Sequence, residues 1–392
     1  MRGRQNRGVD TLYLDHAATA PPLPEALAAF QKAAKETFAN PGSLHQAGAD
    51  AARSLEKSRR GLANAFGAQN YSLIWTGTGT ESNHLAIQGL ARRQKDTSAN
   101  PTILVGAAEH PAARMAAEAL QEEGFCVKII PVNAHGLVKT EALLEQLSAD
   151  VVLVSVQWAN NEIGGLNPIA DLVQVTRAHG SALFHVDAIQ AVGKRKEWLD
   201  DLDADAISVA AHKIGGVRGC AALFLHKNCP KPVPMFVGGG HEGGLRAGTE
   251  NVMGAAAFCE AARIRQAGLH KNGEIYHQRR HNLLEQLQKV RPDLVVLGPE
   301  NPAEVQGSIL TVAFPGTKAE PLLHQFEAAG IQVGSGSACN AKGHAESPVL
   351  AAIGLAKNLR NSVIRFSLDG TESEKDLSRV AKVLIKASES TS

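Results

Sequence analysis

The chain has 392 residues, which is too long for one hydrophobic core and predicts about two domains. Its 40 basic and 39 acidic residues leave a formal net charge of +1, so no strong field would attract a nucleic acid or an anionic membrane. No apolar run approaches the roughly 20 residues of a membrane span, and the basic N-terminus lacks the apolar region of a secretory signal. The five cysteines form no CxxC motif, which argues against a disulfide framework or a metal site and favours the cytoplasm.

Short apolar runs alternate with amphipathic helical patterns through the first part of the chain. Seven of these runs are predicted to be buried strands: Ser72–Thr76, Thr102–Ala107, Cys126–Ile130, Val151–Val156, Ala182–Asp187, Asp205–Ala210 and Cys220–Leu225. Helical stretches such as Ala112–Glu123 and Pro168–His179 separate several of them. This alternation predicts an α/β fold in which helices cover a mostly parallel sheet.

The pattern changes after Cys259. A long polar helical stretch precedes two strand-like runs, "ILTVAF" and "VIRFSL", and a final helix near Glu374–Ala387. We therefore predict a large domain of residues 15–264, and a smaller α+β domain formed by residues 1–14 and 265–392. Ligands of parallel sheets bind beyond the carboxyl ends of the strands, which is where the motifs described next occur.

The first motif, "WTGTGTESNHLAIQG", has the order strand, Gly/Thr-rich turn, helix. Thr78 and Glu81 have the spacing of a capping box, and Gly77 and Gly79 let backbone amides approach an anion. The motif lacks the Walker lysine and the spacing of the dinucleotide fingerprint. It indicates either a phosphate seat at a helix N-terminus or an ordinary capped helix.

Two further motifs follow apolar strands. Asp187 ends one strand and Gln190 lies just beyond it, so the carboxylate could pair with a protonated ring nitrogen or cap a helix. His212 and Lys213 follow the next strand, where lost solvation would lower the lysine pKa and free the amine for a Schiff base. Such a lysine often extends to solvent instead. A phosphate seat, a strand-end aspartate and a buried lysine in this order indicate pyridoxal phosphate binding.

With these motifs the chain resembles the cysteine desulfurases of the NifS/IscS kind, in the class-V aminotransferase group of fold-type I pyridoxal phosphate enzymes. The similarity extends over almost the whole chain, in "YLDHAATAP", "ANPGSLHQAG", "TGTGTESNHLAIQG", "AEHPA", "ANNEIG", "HVDAIQAVGK", "AHKIGG", "GGGHEGGLRAGTENV", "GSGSAC" and "NSVIRFSL". The resemblance implies a homodimer that takes sulfur from L-cysteine. It also implies a sulfur-acceptor protein, such as an iron–sulfur scaffold, as a partner.

The resemblance also implies roles for individual residues at the cofactor ring. Lys213 would hold pyridoxal phosphate covalently, and Asp187 would keep the pyridine nitrogen protonated. His110 would stack on the ring and serve in acid–base chemistry. Gln190 and Asn161 would bind the phenolic oxygen.

Other implied roles concern the phosphate and the substrate. The residues expected at the cofactor phosphate are Gly79, Thr80 and His212, with Thr249 reaching the phosphate of the partner subunit. Arg365 would bind the substrate carboxylate together with Asn161, and a guanidinium suits that task because it can donate two parallel hydrogen bonds. Where the family has a phosphate-binding serine, this chain has Ala210, and our hypothesis is that Thr78 supplies the missing hydroxyl.

Cys339 matches the nucleophilic cysteine of the family and lies in the segment "VGSGSACNAKGHAESP", which is rich in small residues. By resemblance, its thiolate would attack the substrate sulfur, leaving a persulfide on the enzyme and L-alanine as product. A segment of Gly, Ser and Ala would let the thiol carry sulfur to an acceptor.

Other functions remain open on the sequence alone. A selenocysteine lyase, another β-lyase, an aminotransferase or an epimerase could share the fold, although a mobile thiol argues against most of these. A binding-only subunit should have lost the catalytic residues, yet Lys213, Asp187, His110, Cys339 and Arg365 are all present. The sequence does not identify the sulfur acceptor.

Overall fold

The structure, a computed structural model, describes residues 11–271, 274–335 and 347–389. The chain divides into two compact units. The large unit comprises Thr19–Asn160 and Leu166–Gly273, and the small unit comprises Met1–Ala18, Asn161–Gly165 and Glu274–Ser392. The domain boundary expected near Arg265 falls inside a helix, Val252–Lys271.

The large unit is built on a seven-stranded sheet. Its strands are β2 (Tyr71–Thr76), β3 (Thr102–Gly106), β4 (Cys126–Ile130), β5 (Val151–Gln157), β6 (Leu183–Asp187), β7 (Ala206–Ala210) and β8 (Ala221–His226). They lie in the order β2-β8-β7-β6-β5-β3-β4. The pairs from β4 to β7 are parallel, and only β8 runs antiparallel to its neighbours. The predicted mostly parallel seven-stranded sheet is confirmed.

Strand direction brings the predicted motifs to one edge of this sheet. Because β8 is antiparallel to both β2 and β7, strand β2 runs in the same direction as the parallel strands. The carboxyl ends of β2, β3, β5, β6 and β7 therefore share one edge. The segments that carry Thr78, His110, Asp187 and Lys213 each follow one of these ends.

Helices cover both faces of the sheet. They are α1 (Pro24–Glu36), α2 (Gln46–Phe66), α3 (Gly79–Gln94), α4 (Pro111–Glu118), α5 (Thr140–Leu144), α6 (Ile169–Ala178) and α7 (Val252–Lys271). Successive strand residues point to opposite faces, so Leu104 joins one hydrophobic cluster while Ile103 and Val105 join the other. Strands β3, β5, β6 and β7 are buried along their whole length, which explains why they were readable as continuous apolar runs, whereas the edge strand β4 is largely exposed.

The small unit has a five-stranded sheet in the order β1-β11-β12-β10-β9. Its strands are β1 (Leu12–Leu14), β9 (Val295–Leu297), β10 (Ile309–Ala313), β11 (Ile331–Ser335) and β12 (Val363–Ser367), and its helices are α8 (Ile275–Val290), α9 (Ala319–Ala328), α10 (Pro348–Ala352), α11 (Lys357–Arg360) and α12 (Glu374–Glu389). Strand β1 pairs in parallel with β11, and the other pairs are antiparallel. Phe326 and Phe366 meet edge to face, with ring centroids 5.7 Å apart, in its core.

Among the described residues, none of the helices combines the length and the apolar character that crossing a membrane would require.

Candidate active site

The phosphate seat predicted from the sequence lies at the N-terminus of α3. Thr78 caps this helix: its hydroxyl oxygen accepts a hydrogen bond of 3.1 Å from the Glu81 N–H. The Glu81 carboxylate reaches back to the N–H of Gly77, at 2.8 Å, which is one residue before the position of an ordinary capping box. The N–H groups of Gly79 and Thr80 belong to the first turn, where a helix has no carbonyl to receive them, and an anion can take their place.

Gly79 packs the end of α3 directly against the segments that follow β6 and β7. A Cβ at Gly79 would lie 2.3 Å from Ile189 Cδ1 and 3.5 Å from Ala210 Cβ. Ile189 is two residues beyond Asp187, and Ala210 is three residues before Lys213. The helix N-terminus therefore lies beside both predicted cofactor-binding segments.

Asp187 ends β6 and is 6% exposed. Its Oδ2 accepts a hydrogen bond of 2.7 Å from Asn83 Nδ2, and its Oδ1 accepts one of 3.0 Å from the Ile189 N–H. Asn83 is fully buried on α3, and its Oδ1 has no hydrogen-bond partner within the described part of the chain. Two donors thus fix the orientation of the carboxylate that was predicted to meet a pyridine nitrogen.

His110 caps the N-terminus of α4, and its Nδ1 accepts a hydrogen bond of 3.1 Å from the Ala112 N–H. Burial lowers the pKa of His110, the charge of Asp187 opposes that shift, and the charge of Lys213 adds to it. These three predicted residues are therefore close enough to influence one another. A neutral His110 that accepts at Nδ1 carries its proton on Nε2.

Lys213 and His212 lie in a short 3₁₀ turn directly after β7, and both are half-buried. The Nδ1 atom of His212 lies 3.2 Å from the hydroxyl of Thr19. Burial, together with the positive charges of Lys213 and other neighbours, lowers the pKa of His212 to about 4. His212 is consequently a neutral hydrogen-bonding group near pH 7.

Gln190 and Thr249 occupy contrasting positions in the large unit. Gln190 is 5% exposed, and its Oε1 accepts a hydrogen bond of 3.1 Å from Lys194 Nζ. Thr249 is exposed and follows Gly248, whose φ of 109° is in the region that favours glycine.

Arg365 and Asn161 come together within the small unit. Arg365 lies on β12, is 2% exposed, and donates 2.9 Å from Nη1 to the backbone oxygen of Asn161. Its Nη2 forms an ion pair of 2.7 Å with Asp15, while its buried Nε has no partner among the described residues. Gly334 leaves the space for this pair, because a Cβ there would lie 2.8 Å from both Arg365 Nη2 and Asp15 Oδ1.

Sequence reasoning missed three groups near these residues. Asn83, Asp15 and Glu109 have contacts that are made only by tertiary structure. Glu109 is 3% exposed, accepts a 2.7 Å hydrogen bond from the Gln157 N–H, and has a pKa raised well above its usual range by burial. Its only local signal was its place beside His110 in "AEHPA". Cys339, the predicted nucleophile, lies outside the described residues.

Comparisons with known proteins identify the family of the chain. The family model described as aminotransferase class-V matches residues 12–380. An IscS-like cysteine desulfurase of Mycobacterium tuberculosis is 36% identical over 95% of this chain and 95% of its own length, and a cysteine desulfurase IscS of Dictyoglomus turgidum is 33% identical over 95% and 93%.

A solved structure described as a NifS-like protein has a TM-score of 0.89 and 28% sequence identity, covering 97% of this chain and 100% of the other. This likeness confirms the predicted fold-type I architecture. Since the family model and the relatives each match most of the sequence, the chain belongs to the class-V aminotransferase family, among the cysteine desulfurases of the NifS/IscS type.

Proposed function

We propose that the chain is a pyridoxal phosphate-dependent cysteine desulfurase, which releases L-alanine from L-cysteine and collects the sulfur as a persulfide on Cys339. The observation that carries the proposal is that the N-terminus of α3 packs against the segments that carry Asp187 and Lys213, with Asp187 held there by Asn83. The relatives that match along nearly the whole chain bear the same activity in their names.

The residues at this edge fit the cofactor. Gly79 provides close backbone approach at the helix end, and a side chain there would meet Ile189. Asp187 is held by two hydrogen bonds from neutral donors and is the acceptor that a pyridinium N–H needs. Lys213, as the nearby amine, would hold the cofactor, and Thr80, His212 and the helix N-terminus would hold its phosphate.

When bound, pyridoxal phosphate supplies an electron sink that weakens the bonds at the substrate Cα and Cβ. The residues of the chain provide binding and proton transfer. The buried Nε of Arg365 has no partner among the described residues, and its N–H would donate to the substrate carboxylate. His110, neutral because burial lowers its pKa, would stack on the ring and exchange a proton at Nε2.

The sulfur step balances without an external oxidant. The Cys339 thiolate would attack the sulfur of the substrate, so that a sulfur–sulfur bond forms while the bond between sulfur and Cβ breaks. The electron pair of the broken bond stays with the carbon, which gains a proton and becomes the methyl group of L-alanine. A sulfur-acceptor protein, for example in iron–sulfur cluster assembly, would then remove the terminal sulfur in the cytoplasm.

The proposal includes a homodimer, because Thr249 would reach the phosphate held by the partner subunit. A selenocysteine lyase is the second candidate, since the same attack on selenium in place of sulfur requires nearly the same residues. The exposure of Thr249 in the single chain is consistent with a contact to another subunit.

The direct test measures alanine and sulfide released from L-cysteine by the full chain, supplied with pyridoxal phosphate and a thiol reductant. We expect equal amounts of both products, and a loss of at least about 100-fold with Cys339→Ala, because the nucleophile is removed. Cys126→Ala is the matched control, since Cys126 is an exposed cysteine on β4, and it should leave the rate unchanged.

Two results would contradict the proposal. Release of pyruvate instead of alanine would indicate a lyase, and full activity of Cys339→Ala would remove the persulfide route. A preference for selenocysteine over cysteine by more than about 100-fold in kcat/KM would favour the second candidate.

A further inference from the structure

The loop that carries Thr249, residues 238–250, is attached to the edge of the sheet by two arginine–carboxylate pairs that the proposed mechanism does not use. We call this segment the Thr249 loop. The first pair joins Glu242 to Arg59 of α2, with contacts of 2.8 and 2.9 Å. The Glu242 carboxylate is 2% exposed and also accepts a 2.9 Å hydrogen bond from the Trp75 N–H of β2. The backbone of Glu242 has φ 49°, which non-glycine residues rarely adopt, so these contacts hold the loop in a constrained conformation.

The second pair lies at the phosphate seat itself. Arg246 donates from Nε to Glu81 Oε1 at 2.8 Å and from Nη2 to Oε2 at 3.4 Å. The same Oε2 accepts the Gly77 N–H at 2.8 Å. The two side chains are 22% and 14% exposed, so water screens their interaction only in part.

Glu81 creates an electrostatic conflict at this position. It is in the first turn of α3, where its negative charge is favoured by the positive end of the helix dipole. A phosphate bound to the N–H groups of Gly79 and Thr80 would use the same helix end, and it would be repelled by a nearby unpaired carboxylate. The two-point contact from Arg246 cancels the charge of Glu81 and removes that repulsion.

We propose that Arg246 is a positioning residue that keeps the N-terminus of α3 receptive to a phosphate dianion by neutralising Glu81, and that fixes the Thr249 loop to the same helix end. The inference deepens the proposed function and rests on it only for the identity of the phosphate as part of pyridoxal phosphate.

The test measures the dissociation constants of pyridoxal phosphate and of inorganic phosphate for the full chain and three variants. We expect Arg246→Gln to weaken binding of both about tenfold, since it leaves the Glu81 charge uncompensated. Glu81→Gln removes the charge while it keeps the length of the side chain and one acceptor oxygen for the Gly77 N–H, so binding should be unchanged or up to about threefold tighter. In the double variant the affinity should return to within about threefold of the parent.

The rescue separates charge compensation from a merely structural role. If Arg246→Gln weakens binding by disturbing the structure, the weakening should persist in the double variant. If it weakens binding through the charge of Glu81, the weakening should disappear in the double variant. The weakening in Arg246→Gln should also shrink as the ionic strength is raised. Arg92→Gln is the matched control: Arg92 pairs with Glu123 at 2.7 and 2.9 Å from the last turn of the same helix, and its loss should leave both constants unchanged.

Three outcomes would overturn the inference: unchanged affinity in Arg246→Gln, weaker phosphate binding in Glu81→Gln, or no rescue in the double variant. If Arg246→Gln does not fold, the Glu81→Gln result still decides, because that substitution preserves the shape of the side chain and one acceptor oxygen. Failure of the parent chain to bind pyridoxal phosphate would count against the proposed function, while the ranking of the variants with inorganic phosphate would still test Arg246.

Discussion

At the scale of single residues, a buried histidine lies in the strand that presents Asp187. His185 is two residues earlier on β6 and is fully buried. Its Nδ1 lies 2.9 Å from the Ser155 hydroxyl on β5, and its Nε2 lies 2.9 Å from the Ser208 hydroxyl on β7. Burial lowers the pKa of His185 to about 3, so the folded chain holds it as a neutral link between three strands.

This neutral histidine predicts an acid-sensitive stability. The unfolded chain binds a proton at His185 below pH ~6.5 while the folded chain does not bind it until about pH 3, so stability is complete above 6.5 and falls with decreasing pH. Relative to His185→Gln, the parent should lose about 2 kcal/mol more between pH 7.5 and 5.0. Urea unfolding at the two pH values measures this difference.

His281→Gln is the control for that comparison, because His281 lies on the surface of α8 with 69% of its side chain exposed. It should lose as much stability as the parent over the same pH range. Equal pH slopes for the parent and His185→Gln would contradict the neutral, buried histidine.

Single residues differ in how far they could be predicted. The capping role of Thr78 was readable because a cap and the N–H that donates to it are three residues apart. Asn83 and Asp15 were not, since their partners Asp187 and Arg365 are 104 and 350 residues away. Contacts at such distances depend on how the elements pack, and local spacing carries no signal of them.

At the scale of elements, the N-terminus of α3 combines a helix cap with the proposed phosphate seat. We expect Thr78→Ala to lower stability by about 1 kcal/mol through loss of the cap. If Thr78 also supplies the hydroxyl that Ala210 lacks, the same substitution will weaken pyridoxal phosphate binding. Thr78→Ser keeps the hydroxyl and should behave as the parent in both thermal unfolding and cofactor titration. If Thr78→Ala lowers stability and leaves the cofactor affinity unchanged, Thr78 acts only as a helix cap.

Elements were predictable in proportion to their length and burial. In the large unit, β3, β5, β6 and β7 were found because each is an apolar run that is buried along its whole length, whereas the largely exposed edge strand β4 was found from its β-branched residues. In the small unit, β1 and β9 have three residues each and β11 has the sequence Ile-Gln-Val-Gly-Ser, so none of them shows a readable period. Their pairing partners, not their own sequences, make them strands.

At the scale of the whole molecule, the proposed homodimer predicts complementation between subunits. Thr249→Ala should weaken cofactor binding, and Lys213→Ala should abolish activity. In a mixed dimer, the chain with intact Lys213 would receive Thr249 from its partner, so mixing the two variants should restore activity at limiting pyridoxal phosphate. Each variant mixed with itself is the control. No gain on mixing would mean that Thr249 acts within its own chain or not at the phosphate.

The small unit is formed by three stretches of chain, and the sequence indicated only the first and the last of them. Residues 161–165 lie in the middle of the chain, yet they belong to this unit. Gly164 lies against Ile309 and the Gln306 N–H donates to the Gly164 oxygen, contacts for which neither segment has a local pattern. The predicted division, which separated residues 1–14 and 265–392 from residues 15–264, did not include this middle stretch.

The pairing of β1 with β11 has a consequence for biosynthesis. Leu12 aligns with Ile331, and Asp15 pairs with Arg365, so the partners of these early residues are synthesised more than 300 residues later. The large unit can fold during translation, but β1 cannot pair with β11 until more than three quarters of the chain has been synthesised. Closing so long a loop is slow, and until it closes Leu12 and Leu14 remain exposed and available to chaperones.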